Sequence, residues 1–407
     1  MNIVMDFRKY DGVVGGVEQV VTQIISQIAP KGHTFILLSK QSRLDEVKDL
    51  FCDVPNIKHL PLPVESHAIS MKNAWHDSHT IQDIAASENA PVIHFPYNWS
   101  FPYKKKAKTI LTIHDVIPFT FREAMGWFRH KFIYKPAIRR ACKLNDVITT
   151  ISEFSRQDIA AKTGTDLNRI RVIPNGFRNP FPIQDGLTQI LQSRYNLQEN
   201  FVLNVGGIHQ RKNIPRLIHA FALFSKQTQF PGKLLITGKA SGAPYQDRMR
   251  ILCGRAIAES AKNISESGKK VGESDPQNTA GPASGLRERI VFTGFVSDEE
   301  LDHLLAMAKF LVYPSLYEGF GIPILEAFNV GTPVVTSNVT AMKEIAEGAA
   351  VLIDPTNVEN MAAGMRKLHE NQQLCSELAE KGKERAQKYT WDKLGRQYLA
   401  LYEELAV

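Results

Sequence analysis

The stretch FLVYPSLYEGFGIPILEAFNVGTPVVTS, residues 310–337, decides the fold. Its ends, "FLVYPS" and "TPVVTS", are short β-branched and apolar runs that read as strands. Between them Gly319 and Gly321 keep a helix from starting at Glu318, and Pro323, acceptable in a first helical turn, marks where one begins. A strand, a loop, a helix and a second strand form a parallel unit whose faces are covered by helices. Two carboxylates flank the glycines. Glu318 lies in the loop and Glu326 in the first turns of the helix. A favourable interaction with the helix dipole accounts for Glu326 but not for Glu318 or the glycines.

The same alternation runs along the chain. "NIVMDF", "TFILLS", "PVIHF", "KTILTIH", "DVITTIS" and "RIRVIP" form one strand series, and "FVLNVGG", "KLLITG", "RIVFTG", "FLVYPS", "TPVVTS" and "AAVLID" a second. Amphipathic helices lie between them. In 15–29, Val17, Val20, Val21, Ile24, Ile25 and Ile28 share one face. Pro, Gly and Asn cluster at 173–186 and read as a linker. The expected architecture is therefore α/β, with two Rossmann-like, doubly wound parallel-sheet domains facing across a cleft: 1–183, joined by the helix 390–407, and 184–389. Residues 260–287 are polar and rich in Gly and Ser, and read as a flexible surface insertion.

The 407 residues are 43% hydrophobic, which suits two soluble globular domains. No apolar run is long enough for a transmembrane helix, and "MNIVMDF" reads as a strand rather than a signal peptide. Cys52, Cys142, Cys253 and Cys375 are widely spaced, which points to a reducing cytoplasm and to neither a disulfide framework nor a zinc site. A net charge of +7 favours an anionic partner.

Three more stretches carry chemistry. In "VVGGVEQVV" (13–21), Gly15 and Gly16 open a helix whose N-terminus offers unpaired N–H groups to an anion. The pattern is not G-x-G-x-x-G, so a nicotinamide site is not supported. In "VGGIHQRKNIPRLIHAF" (205–221), Arg211 and Lys212 stand where a helix dipole disfavours cations, and a bound diphosphate would remove that conflict. In "LTIHDVIPF" (111–119), His114 and Asp115 close a strand at the end that meets the cleft.

Together with "TTISEFSRQDI" (149–159), "IPNG" (173–176), "EGFGIPILEA" (318–327) and "GTPVVTSNVTAMKEIA" (331–346), these stretches resemble the retaining glycosyltransferases of family four, of GT-B fold and mannosyltransferase-like, over nearly the whole chain. The resemblance implies transfer of a hexose from a nucleoside-diphosphate donor, GDP-mannose or a UDP-hexose, to a growing glycan. It implies that Arg211 and Lys212 hold the diphosphate, Glu318 the transferred sugar and Glu326 the ribose. The Gly319, Phe320 and Gly321 backbone would contact sugar or phosphate, Gly15 and Gly16 would close over the phosphate, and His114 would contact the sugar. No role is carried over to Glu344, because Lys343 precedes it where the family often has proline. No Asp-x-Asp is present, so neither a metal nor another cofactor is expected. The final helix is expected to cross back onto the first domain.

Basic and aromatic residues mix in "FPYNWSFPYKKKAK" (95–108) and "GWFRHKFIYKPAIRRACK" (126–143). No nucleic-acid module accompanies them, so they are read as an anionic-membrane contact of a peripheral enzyme on the inner face of the plasma membrane, acting on a lipid-linked glycan. Burial of the aromatics against the sheet is the competing reading. An epimerase or another GT-B enzyme, and a non-catalytic sugar-binding protein, are the rival functions.

Overall fold

The computed structural model describes residues 1–64, 68–121, 127–197, 200–238, 244–268 and 282–407, with the backbone alone at 244–249, 263–268 and 282–284. The chain divides into two compact units, Met1–Phe177 with Tyr389–Val407, and Arg178–Lys388.

In the first unit the described residues form a seven-stranded sheet. Its strands are β1 (Asn2–Asp6), β2 (Thr34–Lys40), β3 (Ile57–Leu62), β4 (Val92–Phe95), β5 (Lys108–Thr112), β6 (Val147–Thr150) and β7 (Ile170–Val172). All pairs are parallel, in the order β3-β2-β1-β4-β5-β6-β7. Alternate residues of β1 enter opposite core layers, Ile3 and Met5 on one side and Val4 on the other. This two-sided burial explains the nearly continuous apolar strands. β3 escapes the sequence reading because it is an edge strand: "IKHLPL" carries Lys58, His59 and Pro61 and is mostly only half-buried.

The second unit repeats the plan with β8 (Val202–Val205), β9 (Leu234–Thr237), β10 (Ile290–Gly294), β11 (Phe310–Tyr313), β12 (Val334–Ser337) and β13 (Val351–Ile353). The order among the described residues is β10-β9-β8-β11-β12-β13, again all parallel. In both sheets the winding reverses beside the first strand, between β1 and β4 and between β8 and β11. Ligands of doubly wound sheets bind beyond the carboxyl ends at such a reversal.

The expectation of a loop over 260–287 needs correction. A helix spans Pro244–Gly268 and another Pro282–Arg289, and 269–281 lie outside the described residues. Polar composition concealed the helices because only part of the surface is covered: Cys253, Ala256 and Leu286 enter the core while neighbours such as Ile251 stay exposed.

The chain's last helix, Trp391–Ala406, packs against the Gly16–Ile28 helix in the first unit. Gly395 makes the close approach possible, since a Cβ there would lie 2.4 Å from Gln27 Cβ. The same helix sends two tyrosines into the sheet. The Tyr402 hydroxyl is hydrogen-bonded with His94 Nδ1 (2.7 Å), and His94 Nε2 with the Thr112 hydroxyl (2.7 Å). Thr112 in turn meets Thr149 at 2.7 Å, and the Tyr398 hydroxyl lies 3.3 and 3.2 Å from these two threonines. Burial lowers the His94 pKa to about 3, so the ring is neutral and serves as a link in this network.

Tyr402→Phe removes the partner of a buried imidazole nitrogen and is expected to lower unfolding free energy by about 1–3 kcal/mol in denaturant titrations. Gly395→Leu, which forces the two helices apart, should lower it further. An unchanged midpoint for both would show that the last helix is held by something else.

Candidate functional site

The loop after β8 is shaped around one lysine. Gly206 has φ +121, and a Cβ on it would lie 2.8 Å from Lys212 Cε, so only glycine leaves room for that side chain. Gln210–Lys212 forms a 3-10 turn, and Asn213, at φ 62, passes the chain into the Ile214–Thr228 helix. The Asn213 amide donates to the carbonyls of Pro314 (3.2 Å) and Pro355 (2.6 Å). The Leu316 N–H donates to the Arg211 carbonyl at 2.6 Å. These bonds fasten the loop after β8 to the loops after β11 and β13, and β8 and β11 are neighbours at the reversal.

The fastening brings three of the sequence-derived site residues together. Arg211 Nη1 lies 2.5 Å and Lys212 Nζ 2.7 Å from the same oxygen, Glu318 Oε1. Lys212 also donates to the Tyr313 hydroxyl and stands 4.4 Å from the centre of its ring. Burial pushes the Glu318 pKa up, but Lys212 and Arg211 outweigh it and the net shift is downward, so the group is a carboxylate. Burial, and then the nearby Glu318, hold Tyr313 well above the usual phenol range, which keeps its hydroxyl protonated. Two cations against one carboxylate leave a local positive excess in a largely buried place.

Gly319, Phe320 and Gly321 carry the chain into the Ile322–Val330 helix. Gly321 takes φ +125 as its N-cap, a conformation L side chains rarely adopt. The Phe320 ring is buried, so only the backbone of that residue can face a ligand.

Glu326 is not part of the first cluster. It lies in the second turn of the helix, 3.7 Å from Arg178 Nε. Arg178 also donates through Nη2 to Asp302 Oδ1 (2.7 Å) and to the Asp298 carbonyl (2.9 Å). Burial raises the Glu326 pKa to about 7; Arg178 opposes that shift, and Asp302 and Asp298 add to it. A mainly apolar cavity of about 410 Å³ adjoins the loop after β8, and Ile208, Arg250, Cys253, Ile257, Phe292 and Gly294 are among the residues lining it.

Gly15, Gly16 and His114 belong to the first unit. The Gly16–Ile28 helix N-terminus is already capped from within: the Gly15 N–H donates to Glu18 Oε2 at 3.2 Å. A Cβ on Gly16 would meet nothing within 4 Å, so that position borders open space. His114 follows β5, and its Nε2 is buried without a hydrogen-bond partner. Burial lowers its pKa to about 4, although a hydrogen bond to the Pro96 carbonyl works the other way. A neutral imidazole with one uncommitted nitrogen is equipped to meet a hydroxyl.

Sequence reasoning did not single out Tyr313, Asn213 or Arg178. Tyr313 is the last residue of an apolar strand, and Arg178 stands among the Pro, Gly and Asn of the linker. The available signal for Arg178 was a cation directly after "IPNGF".

Residues 14–178 match the model described as Glycosyltransferase Family 4, and residues 188–385 the model described as Glycosyl transferases group 1. The O-antigen chain mannosyltransferase B of Escherichia coli is 25% identical over 353 residues, covering 86% of this chain and 82% of that protein. The serotype-specific mannosyltransferase WbdA of Escherichia coli is 28% identical over 292 residues, covering 70% of this chain but only 32% of WbdA, so the chain spans about a third of that relative's length. Among solved structures, Anabaena HepE in complex with UDP-glucose superposes with a TM-score of 0.68 at 16% identity, covering 99% of this chain and 100% of HepE. That likeness agrees with the two doubly wound units in defining a GT-B fold. With a family model on each half and a GT-B fold throughout, the chain belongs to the family 4, group 1 glycosyltransferases and is mannosyltransferase-like.

Proposed function

We propose that this chain transfers mannose, or another hexose, from a nucleoside-diphosphate sugar to a growing glycan with retention of anomeric configuration. The observation that carries the proposal is the convergence of Arg211 and Lys212 at the strand reversal of the second unit, at 2.5 and 2.7 Å from a single Glu318 oxygen. Cleavage of the bond between sugar and phosphate builds positive charge on the sugar and negative charge on the departing diphosphate. Arg211 and Lys212 stabilise that diphosphate, and the local positive excess is available before the substrate arrives. Glu318 receives the hydroxyls of the transferred sugar. Glu326 receives the ribose hydroxyls, and the apolar cavity beside Ile208 seats the base. The backbone of Gly319, Phe320 and Gly321 contacts sugar or phosphate.

From the first unit, Gly15 and Gly16 approach the phosphate and neutral His114 meets a sugar hydroxyl. Two mannosyltransferases among the relatives support mannose, and the UDP-glucose complex of HepE supports a nucleotide-sugar donor. GDP-mannose is the first donor to try and a UDP-hexose the second. With two fixed cations on the diphosphate the reaction runs without a metal. The distinction from an epimerase is the need for an acceptor, and from a binding protein it is turnover.

The acceptor reading is a lipid-linked glycan at an anionic membrane surface, which places the enzyme on the inner face of the plasma membrane. The two basic aromatic stretches differ in burial. Tyr97 and Phe101 of the first are buried, as the competing reading held, whereas Trp127, Phe128 and Phe132 of the second are exposed at 56, 66 and 51%. Lys131 lies 5.0 Å over the Trp127 ring and 5.3 Å over Phe132. Exposed aromatics beside lysine and arginine suit a headgroup layer. Among the described residues no helix is long and apolar enough to cross a membrane.

Arg211→Ala, Lys212→Ala and Glu318→Gln are each expected to reduce transfer at least about 100-fold while leaving a folded protein by circular dichroism. Near-normal turnover in all three would remove the donor assignment. Transfer should survive exhaustive chelation; loss that added Mg²⁺ or Mn²⁺ restores would overturn metal independence. For the membrane, vesicles containing phosphatidylserine should retain the wild-type protein at low salt and release it at high salt. Trp127→Ala/Phe128→Ala/Phe132→Ala should weaken retention without changing donor affinity. Equal retention by neutral vesicles, or by the triple variant, would rule this surface out.

A further inference from the structure

We infer that Arg178 is a positioning residue for Glu326, aiming its carboxylate at the hydroxyls of the donor nucleoside. The inference rests on the donor reading of the second unit given above. Arg178 opens that unit, and its guanidinium is mostly committed to the Asp298–Met307 helix: Nη2 reaches Asp302 Oδ1 at 2.7 Å and the Asp298 carbonyl at 2.9 Å. Asp302 is held in place in turn, because its Oδ2 accepts the Phe181 N–H at 2.9 Å. Nε is the remainder. It is buried without a hydrogen-bond partner and faces Glu326 at 3.7 Å and the Asp298 carboxylate at 3.5 Å.

Holding the linker segment to the helix would require only the Asp302 and Asp298 contacts. The placement of Nε within 3.7 Å of Glu326 and 3.5 Å of the Asp298 carboxylate goes beyond that requirement. The charged groups bearing on Glu326 are Arg178, from the segment that opens the unit, and Asp302 and Asp298, from the neighbouring helix. Without Arg178 a mostly buried carboxylate would face only like charges and would take up a proton. Its protonation matters because an ionised carboxylate accepts from both hydroxyls of a vicinal diol, whereas a protonated one must turn one oxygen into a donor. Glu326 titrates near neutrality, at about 7. Nucleotide binding should therefore strengthen as pH rises through that value, since the raised pKa leaves the group protonated below it.

The test measures the dissociation constants of GDP and UDP on the full chain by calorimetry, from mildly acidic to mildly alkaline pH. At least one nucleotide should bind the wild type more tightly as pH passes about 7. Arg178→Gln should move that limb upward by about one to three pH units. Arg178→Lys should largely restore it, and Glu326→Gln should abolish it. Asp298→Asn, at an exposed side chain that removes one like charge, should move the limb downward and serves if Arg178→Gln does not fold. A wild-type limb in both Arg178→Gln and Asp298→Asn would overturn the role of Arg178 while leaving the donor reading intact. An unchanged affinity and pH profile in Glu326→Gln would overturn the ribose assignment itself, and this inference with it.

Discussion

Two cations share one carboxylate oxygen, and the loops after β8 and β11 are built around that arrangement. Arg211 and Lys212 could not meet Glu318 unless the loops after β8 and β11 were adjacent, which the reversal of strand order provides. Lys212 could not fold back without the missing side chain of Gly206. The turn would not hold its place without Asn213, which bonds to two carbonyls on other loops. Burying Glu318 is unfavourable by itself, and the paired cations more than offset it. Positive charge is thus fixed in advance beside the strand reversal of the second unit.

The first unit shows a different use of buried polarity. His94, Thr112, Thr149, Tyr398 and Tyr402 form a neutral network that joins the chain's last helix to the middle of the sheet. Such a network specifies one docking of the helix, since any other leaves buried donors or acceptors unmatched. Nearby, Asp6 and Asp77 both hold buried Arg8, and Asp77 also accepts the Phe101 N–H, which fastens the segment after β4 beside the end of β1. The glycine-opened helix contrasts with the second unit. Its N-terminus is met by Glu18 of its own first turn.

Much of the architecture was legible because doubly buried strands have little freedom of composition. All six apolar runs of the second series are strands, as are the six of the first. The failures have equally local causes. Among the described residues β3 reads as polar because one side of it has no neighbouring strand, and 260–268 and 282–287, which end one helix and form most of another, read as loop because so few of their residues are apolar. At the site, Arg211, Lys212 and Glu318 stood out because their residue types conflict with local stability. Arg178 and Tyr313 did not, since a charged residue in a linker and an aromatic at a strand end raise no such conflict.

The sequence by itself determined which elements form and which residues are out of keeping with them: cations at a helix start and a carboxylate among glycines. Those conflicts are local in the chain, so a local reading finds them. Only the tertiary structure decided which groups meet. Arg211 and Glu318 are far apart in sequence, and so are Arg178 and Glu326, and their approach depends on strand order and on loop fastenings. It also separated the two glutamates into different electrostatic settings. Two cations hold Glu318 ionised, whereas burial with one cation and two aspartates leaves Glu326 near neutrality, because a pKa is set by neighbours that periodicity does not reveal.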